Sequence, residues 1–303
     1  MSDPVITVGD YQPIYDPSVG ERERWYINDH TFIRDHRGTW HLIGITHREP
    51  MAPLDEIHLA HATSLDLLGP WTKQPDALST DPTSGETHLW APHIVHHDGT
   101  YWMYYCAGGA TEAAYRIHLA TSPDCTTWTR HPDNPMVVDG YQARDPMVLR
   151  VDDRWVMYYT ATGETAGGQF IVAATESDDL IHWTGRHVVY RDPMHGTIAG
   201  PTESPFVVSR DGRFYLFIGP DWDTLQRLER ETGRYDYHGS AYRRTRVLTS
   251  DDPLTFHLDN LVAVINSHAA EVVVDDAGRW WISHCGWGQG GVHLAPLSWG
   301  DNA

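Results

Sequence analysis

Cysteine is scarce in this chain: Cys106, Cys125 and Cys285 are the only three in 303 residues. An odd number without a C-x-x-C pair fits neither a disulfide framework nor a zinc cluster, so the three read as buried thiols. Positive charge is short as well. Lys and Arg total 22 against 41 Asp and Glu, a formal charge of -19 with a pI near 5.3. Such a surface repels phosphodiester backbones and anionic lipid headgroups, which argues against nucleic acid and membrane as partners and favours a neutral or cationic ligand. No hydrophobic run approaches the length that spans a bilayer. Met1-Ser2-Asp3-Pro4-Val5 has no basic n-region and no apolar h-region, so the chain reads as cytoplasmic. Nothing in it speaks to the oligomeric state.

What the chain does have is aromatic side chains in a repeating setting, with 13 Trp and 15 Tyr. A unit recurs five times: a polar or charged residue, then Asp/Gly turn chemistry, then an aromatic-rich hydrophobic run. The runs are Trp40 to Ile43, Tyr101 to Tyr105, Trp155 to Tyr159, Phe214 to Phe217 and Trp280 to Ile282. Each is preceded by a turn, at Asp35 to Gly38, Asp98-Gly99, Asp152-Asp153, Asp211-Gly212 and Asp275 to Gly278. A second alternating pattern follows, as in Ile57 to Ser64, Arg116 to Ser122, Ile171 to Ser177 and Val247 to Ser250, and three copies then carry a Trp-Thr pair.

This period is that of a four-stranded blade, and it predicts an all-β fold, a five-bladed β-propeller of antiparallel blades around a central channel. Blades are expected near 22–80, 86–135, 138–190, 197–260 and 264–300, as one domain over 1–303. The fifth copy runs out of chain one strand short. Val5-Ile6-Thr7-Val8 can supply that strand and hide the open edge. The longest insertion, Asp221 to Tyr242, is expected to form an irregular loop or short helix at one mouth of the channel.

The turn aspartates Asp35, Asp98, Asp152, Asp211 and Asp275 read as caps of backbone amides. Another set stands at the head of each blade. Asp29 lies 11 positions before Trp40, Asp145 10 before Trp155, Glu203 11 before Phe214 and His268 12 before Trp280, with Trp90 to His93 at the corresponding place in blade two. First strands line the channel, so residues at one repeat position converge on the axis. Three carboxylates gathered there repel one another, which raises at least one pKa and lets one carboxyl act as acid while another is ionised. Glycoside hydrolysis requires that division of labour.

Tyr26-Ile27-Asn28-Asp29, Ala143-Arg144-Asp145-Pro146 and Thr202-Glu203-Ser204-Pro205 resemble, in that order, the motifs of five-bladed β-propeller glycoside hydrolases. That superfamily includes the invertase and fructanase group (family 32) and the arabinanase and xylosidase group (family 43). Trp90-Ala91-Pro92 resembles family 43, while Asn28-Asp29 and Arg144-Asp145-Pro146 look more like family 32; the resemblance covers nearly the whole chain. It implies a glycosidase acting on a small carbohydrate or glycoside, an arabinofuranoside, fructofuranoside or xyloside, and requiring no cofactor. Asp29 would be nucleophile or general base, Asp145 the residue that orients substrate and tunes the acid, and Glu203 the general acid. Arg144, Asn28, His30, Trp90, His93, His268 and Trp287 would line the sugar subsite. The chain departs from the motifs at His30, His93 and Ser204, and no β-sandwich follows blade five.

His268 also resembles a fifth-blade histidine that in family 43 sits under the active site, often beside calcium or water. With Glu271 it is a candidate ligand for a structural calcium or another divalent metal in the channel, although hard Ca²⁺ prefers oxygen donors. Gly286 to Gly291 lies between strands with no helix after it, so it reads as a wide turn that carries Trp287 to the channel mouth rather than as a phosphate loop. Two further readings stay open: a carbohydrate-binding propeller without turnover, and a metal-assisted enzyme built on the channel histidines.

Overall fold

Tight turns fix the strand pairs. Asp98-Gly99 and Asp211-Gly212 join their strands with both central residues at positive φ, 48° and 75° in the first and 52° and 77° in the second, the geometry that matches strand twist in two-residue hairpins. Asp35 and Asp275 instead fold their carboxylates back onto the amides two and four residues on. All are structural, as the repeat implied.

The structure is a computed structural model describing residues 5–109, 111–164, 166–193 and 202–300; the expected start of blade four near residue 197 lies outside them. Five antiparallel sheets form the ring of a five-bladed β-propeller. Blade one is built from Trp25–Arg34, Trp40–Arg48, His58–Ser64 and Thr72–Ser79, and blade two from Leu89–His97, Thr100–Ala107, Arg116–Ser122 and Thr129–Arg130. Blade three uses Ala143–Val151, Arg154–Glu164, Gly167–Ser177 and Thr184–Tyr190, and blade four Glu203–Arg210, Arg213–Gly219, Arg244–Ser250 and Leu261–Asn266. Blade five has Val272–Val274, Trp280–His284 and Val292–Gly300, and Val5–Val8 pairs antiparallel with the last of these, Val5 opposite Gly300 and Val8 opposite Leu297.

The aromatic runs are second strands, covered by a neighbouring blade on each face; Tyr101, Met103, Tyr104 and Tyr105 are all fully buried. Five apolar clusters result, one at each seam. Blades one and two share Ile43, Ile45, Leu59, Leu89, Tyr101 and Tyr105, and blade five closes on blade one through Trp281, Leu294, Ile27, Phe32 and Leu42. No blade holds a core alone, which makes the ring one cooperative unit.

Blade four's insertion contains the helix Trp222–Thr232. The Asp221 side chain caps its N-terminus by accepting from the Thr224 amide, and Gly233 ends it at φ 68°, the left-handed turn that glycine takes without cost. Among the described residues no helix is long and apolar enough to cross a membrane.

Candidate active site

Each of the first four inner strands carries a β-bulge at the channel. Two residues oppose one, at Asn28-Asp29, Ala91-Pro92, Asp145-Pro146 and Ser204-Pro205. Ala91, Asp145 and Ser204 take φ of 44°, 54° and 50°, as does Ala269 at 46° in blade five. A bulge bends its strand and re-aims side chains, here toward the axis.

This register corrects the alignment expected from counting back along the chain. Asp29 is the second residue of its bulge, Asp145 the first, and Glu203 the residue just before one. The repeat equivalent of Glu203 is Arg144 in blade three and Trp90 in blade two. The three carboxyls thus come from three successive repeat positions. They nevertheless line one cavity of about 470 Å³ together with Asn28, Trp90, Arg144, His268 and Trp287.

Arg144 is the hub. Its Nη1 donates to Asp145 Oδ2 at 3.0 Å and also pairs with Glu203 Oε1, while Nε donates to Gln142 Oε1 at 2.9 Å. Asp145 Oδ2 further accepts from Thr160 Oγ1 at 3.0 Å and from the Ser204 amide at 3.2 Å. The Ser204 hydroxyl donates to Asp29 Oδ1 at 2.5 Å. The Trp222 indole N–H donates to Glu203 Oε2. Burial raises Asp29, and the charge of Asp145 raises it further, while the Ser204 hydrogen bond opposes them; the carboxyl sits at about 7. Burial lifts Glu203 to about 7 as well, against the pull of Arg144. Two carboxyls so placed hold a proton near neutrality.

His268 stacks on Tyr242 with centroids 3.9 Å apart. Its Nδ1 lies 3.2 Å from the Tyr242 carbonyl and its Nε2 3.2 Å from Asn28 Oδ1. Burial lowers its pKa to about 3, so the ring is neutral and carries one N–H; with Nδ1–H donating to the carbonyl, the Nε2 lone pair faces Asn28 Oδ1, acceptor to acceptor. Of the two candidate metal ligands, His268 lines the first cavity and Glu271 a different one, so the structure does not bring them together. Among the described residues no three His, Cys, Asp or Glu side chains group as a metal site.

The second cavity, about 310 Å³, is lined by residues that follow the bulges, including His30, His93, Met147, Phe206 and Glu271, and it shares Asp29, Asp145 and Ser204 with the first. His30 Nδ1 is 3.2 Å from Cys285 Sγ, His93 Nε2 donates to the Val148 carbonyl at 3.1 Å, and His93 Nδ1 is 3.7 Å from Glu271 Oε1. The structure therefore separates His30 and His93 from the other expected sugar-subsite residues.

Three polar side chains of the first cavity were not among the expected site residues. Glu56 follows the short turn Pro53–Asp55 of blade one, Trp222 opens the insertion helix, and Ser204 sits in the blade-four bulge. Only Ser204 left a trace in sequence, next to Glu203.

Three comparisons bear on identity. A probable arabinan endo-1,5-alpha-L-arabinosidase C of Aspergillus fumigatus is 38% identical over 80 residues, 25% of this chain and 24% of that one. The chain thus spans about a quarter of the length of the curated relatives it matches first. A probable sucrose-6-phosphate hydrolase of Psychromonas ingrahamii is 29% identical over 202 residues, 64% of this chain and 36% of the other. In fold, the endo-arabinase of Bacteroides thetaiotaomicron superposes with a TM-score of 0.66 at 13% identity, covering 92% of this chain and 96% of that one. The family description "Glycosyl hydrolases family 43" matches residues 24–296, nearly the whole chain, and the chain belongs to that family.

Proposed function

We propose that the protein is a glycosidase that releases a terminal furanose or pentose unit from an arabinofuranoside, fructofuranoside or xyloside, with Asp29 and Glu203 as its carboxyl pair. The observation that carries this reading is the pair itself: two carboxyls from blades one and four, in one cavity, each raised by burial to about 7. Family membership and relatives named for furanoside hydrolysis support it.

Glu203 protonates the leaving oxygen, and Asp29 attacks the anomeric carbon or activates the water that does. Arg144 and Trp222 both donate to Glu203, which favours its ionised form. A sugar hydroxyl that draws Arg144 onto itself raises the proton affinity of Glu203, so substrate arms the acid. Asp145 holds Arg144 in place and keeps Asp29 basic. The indoles of Trp90, Trp222 and Trp287 supply flat apolar walls for the sugar ring.

Screening 4-nitrophenyl furanosides and pentopyranosides, with NMR of the first-formed anomer, tests the reading. Release of nitrophenol that depends on Glu203 supports it. Sugar binding with no turnover on any member points instead to a binding propeller.

A further inference from the structure

Among the described residues, Glu56 is the fourth carboxyl of the first cavity and has no counterpart in the other blades. Its backbone carbonyl accepts from the Leu89 amide at 2.9 Å, tying the loop to blade two. Its side chain is buried, and Oε1 accepts from Tyr26 Oη at 2.6 Å and from Trp287 Nε1 at 3.0 Å. The Trp90 indole donates to the Pro53 carbonyl and pins the same turn. The carboxyl is thus held rigidly while lining the cavity beside Asp29, Arg144 and Glu203. With about four lone-pair sites and two donors on one oxygen, it keeps acceptor capacity for a ligand.

Among the described residues, the lining side chains carry four carboxyls, Asp29, Glu56, Asp145 and Glu203, and one cation, Arg144, which already serves Asp145 and Glu203. His268 adds no positive charge, because burial keeps it neutral.

Resting on the proposed function, we infer that Glu56 is a sugar-binding and selectivity residue: it accepts a hydroxyl of the bound sugar unit and makes the pocket reject a unit bearing phosphate or carboxylate. The neutral amide of Glu56→Gln must still present its oxygen to Tyr26 and Trp287, which turns an NH₂ donor toward the ligand. A hydroxyl can accept from that donor, and a phosphate is attracted to it.

The test uses the fluorescence of the cavity tryptophans. Wild type, E56Q and E56A are titrated at pH 8, where Glu56, raised by burial to about 7, is ionised, with L-arabinose, D-xylose and D-fructose, and with the anions D-arabinose 5-phosphate and fructose 6-phosphate. At least one neutral sugar is expected to bind wild type, at least tenfold more tightly than either phosphate. E56A should lose tenfold or more in affinity for that sugar, whereas E56Q should stay within about threefold and bind the phosphates about tenfold better than wild type does. Unchanged neutral-sugar affinity in both variants overturns the binding role, and a phosphate that binds wild type as well as the neutral sugars overturns the selectivity. Wild type that binds none of the three sugars and cleaves no glycoside overturns the proposed function itself. E56Q, which preserves shape, keeps the test valid should E56A fold poorly.

Discussion

Ser204 reaches across the channel to Asp29: its hydroxyl donates to Oδ1 at 2.5 Å, joining the bulges of blades four and one. Its amide meanwhile donates to Asp145, so one residue touches two of the three carboxyls. The hydroxyl holds the Asp29 pKa down against burial and the charge of Asp145.

Ser204→Ala should therefore raise the Asp29 pKa by several tenths of a unit or more. The backbone tolerates the change, because Ala91 and Ala269 adopt the same left-handed conformation in blades two and five. With Asp29 acting ionised, the acid limb of kcat/KM against pH moves to higher pH, and activity below pH 6 falls more than activity at pH 8. A profile superimposable on wild type would show that the hydrogen bond does not tune the base.

Stability should carry the same signature. Asp29, Glu56 and Glu203 have folded pKa values raised to about 7, above the ordinary carboxyl range near 4. Each therefore contributes stability that is fully present below about pH 4 and lost as pH rises through about 7. Asp29→Asn and Glu203→Gln remove that penalty. Each should melt higher than wild type at pH 8, by the equivalent of about 1 kcal/mol or more, with the gain gone by pH 4. Thermal melts across pH read this directly, and a gain that persists at pH 4 rules out the titration as its source.

The propeller was legible in sequence because its turns and its aromatic second strands repeat, and packing between blades demands both. Asp29, Asp145 and Glu203 were legible as a set for the same reason. Their stagger was not, because the first hairpin of blade one is longer than those of blades three and four, so a count back from Trp40 stops two residues later on the inner strand than the same count from Phe214. His30 and His93 lie one and three residues past the positions that face the first cavity. That small offset moves them along the channel into the second. Glu56 and Trp222 come from a loop and an insertion found in single blades, so no periodicity marked them; only folding brings them to the carboxyls.

The most direct measurement of the central claim is turnover by Glu203→Gln on glycosides with different leaving groups. An amide cannot protonate the departing oxygen, so kcat should fall about 10²- to 10⁴-fold on an alkyl or sugar leaving group. The loss should be much smaller on a 2,4-dinitrophenyl glycoside, whose leaving group departs without a proton, while the variant melts as a folded protein. A variant that cleaves every substrate at the wild-type rate would contradict the assignment of Glu203 as the acid.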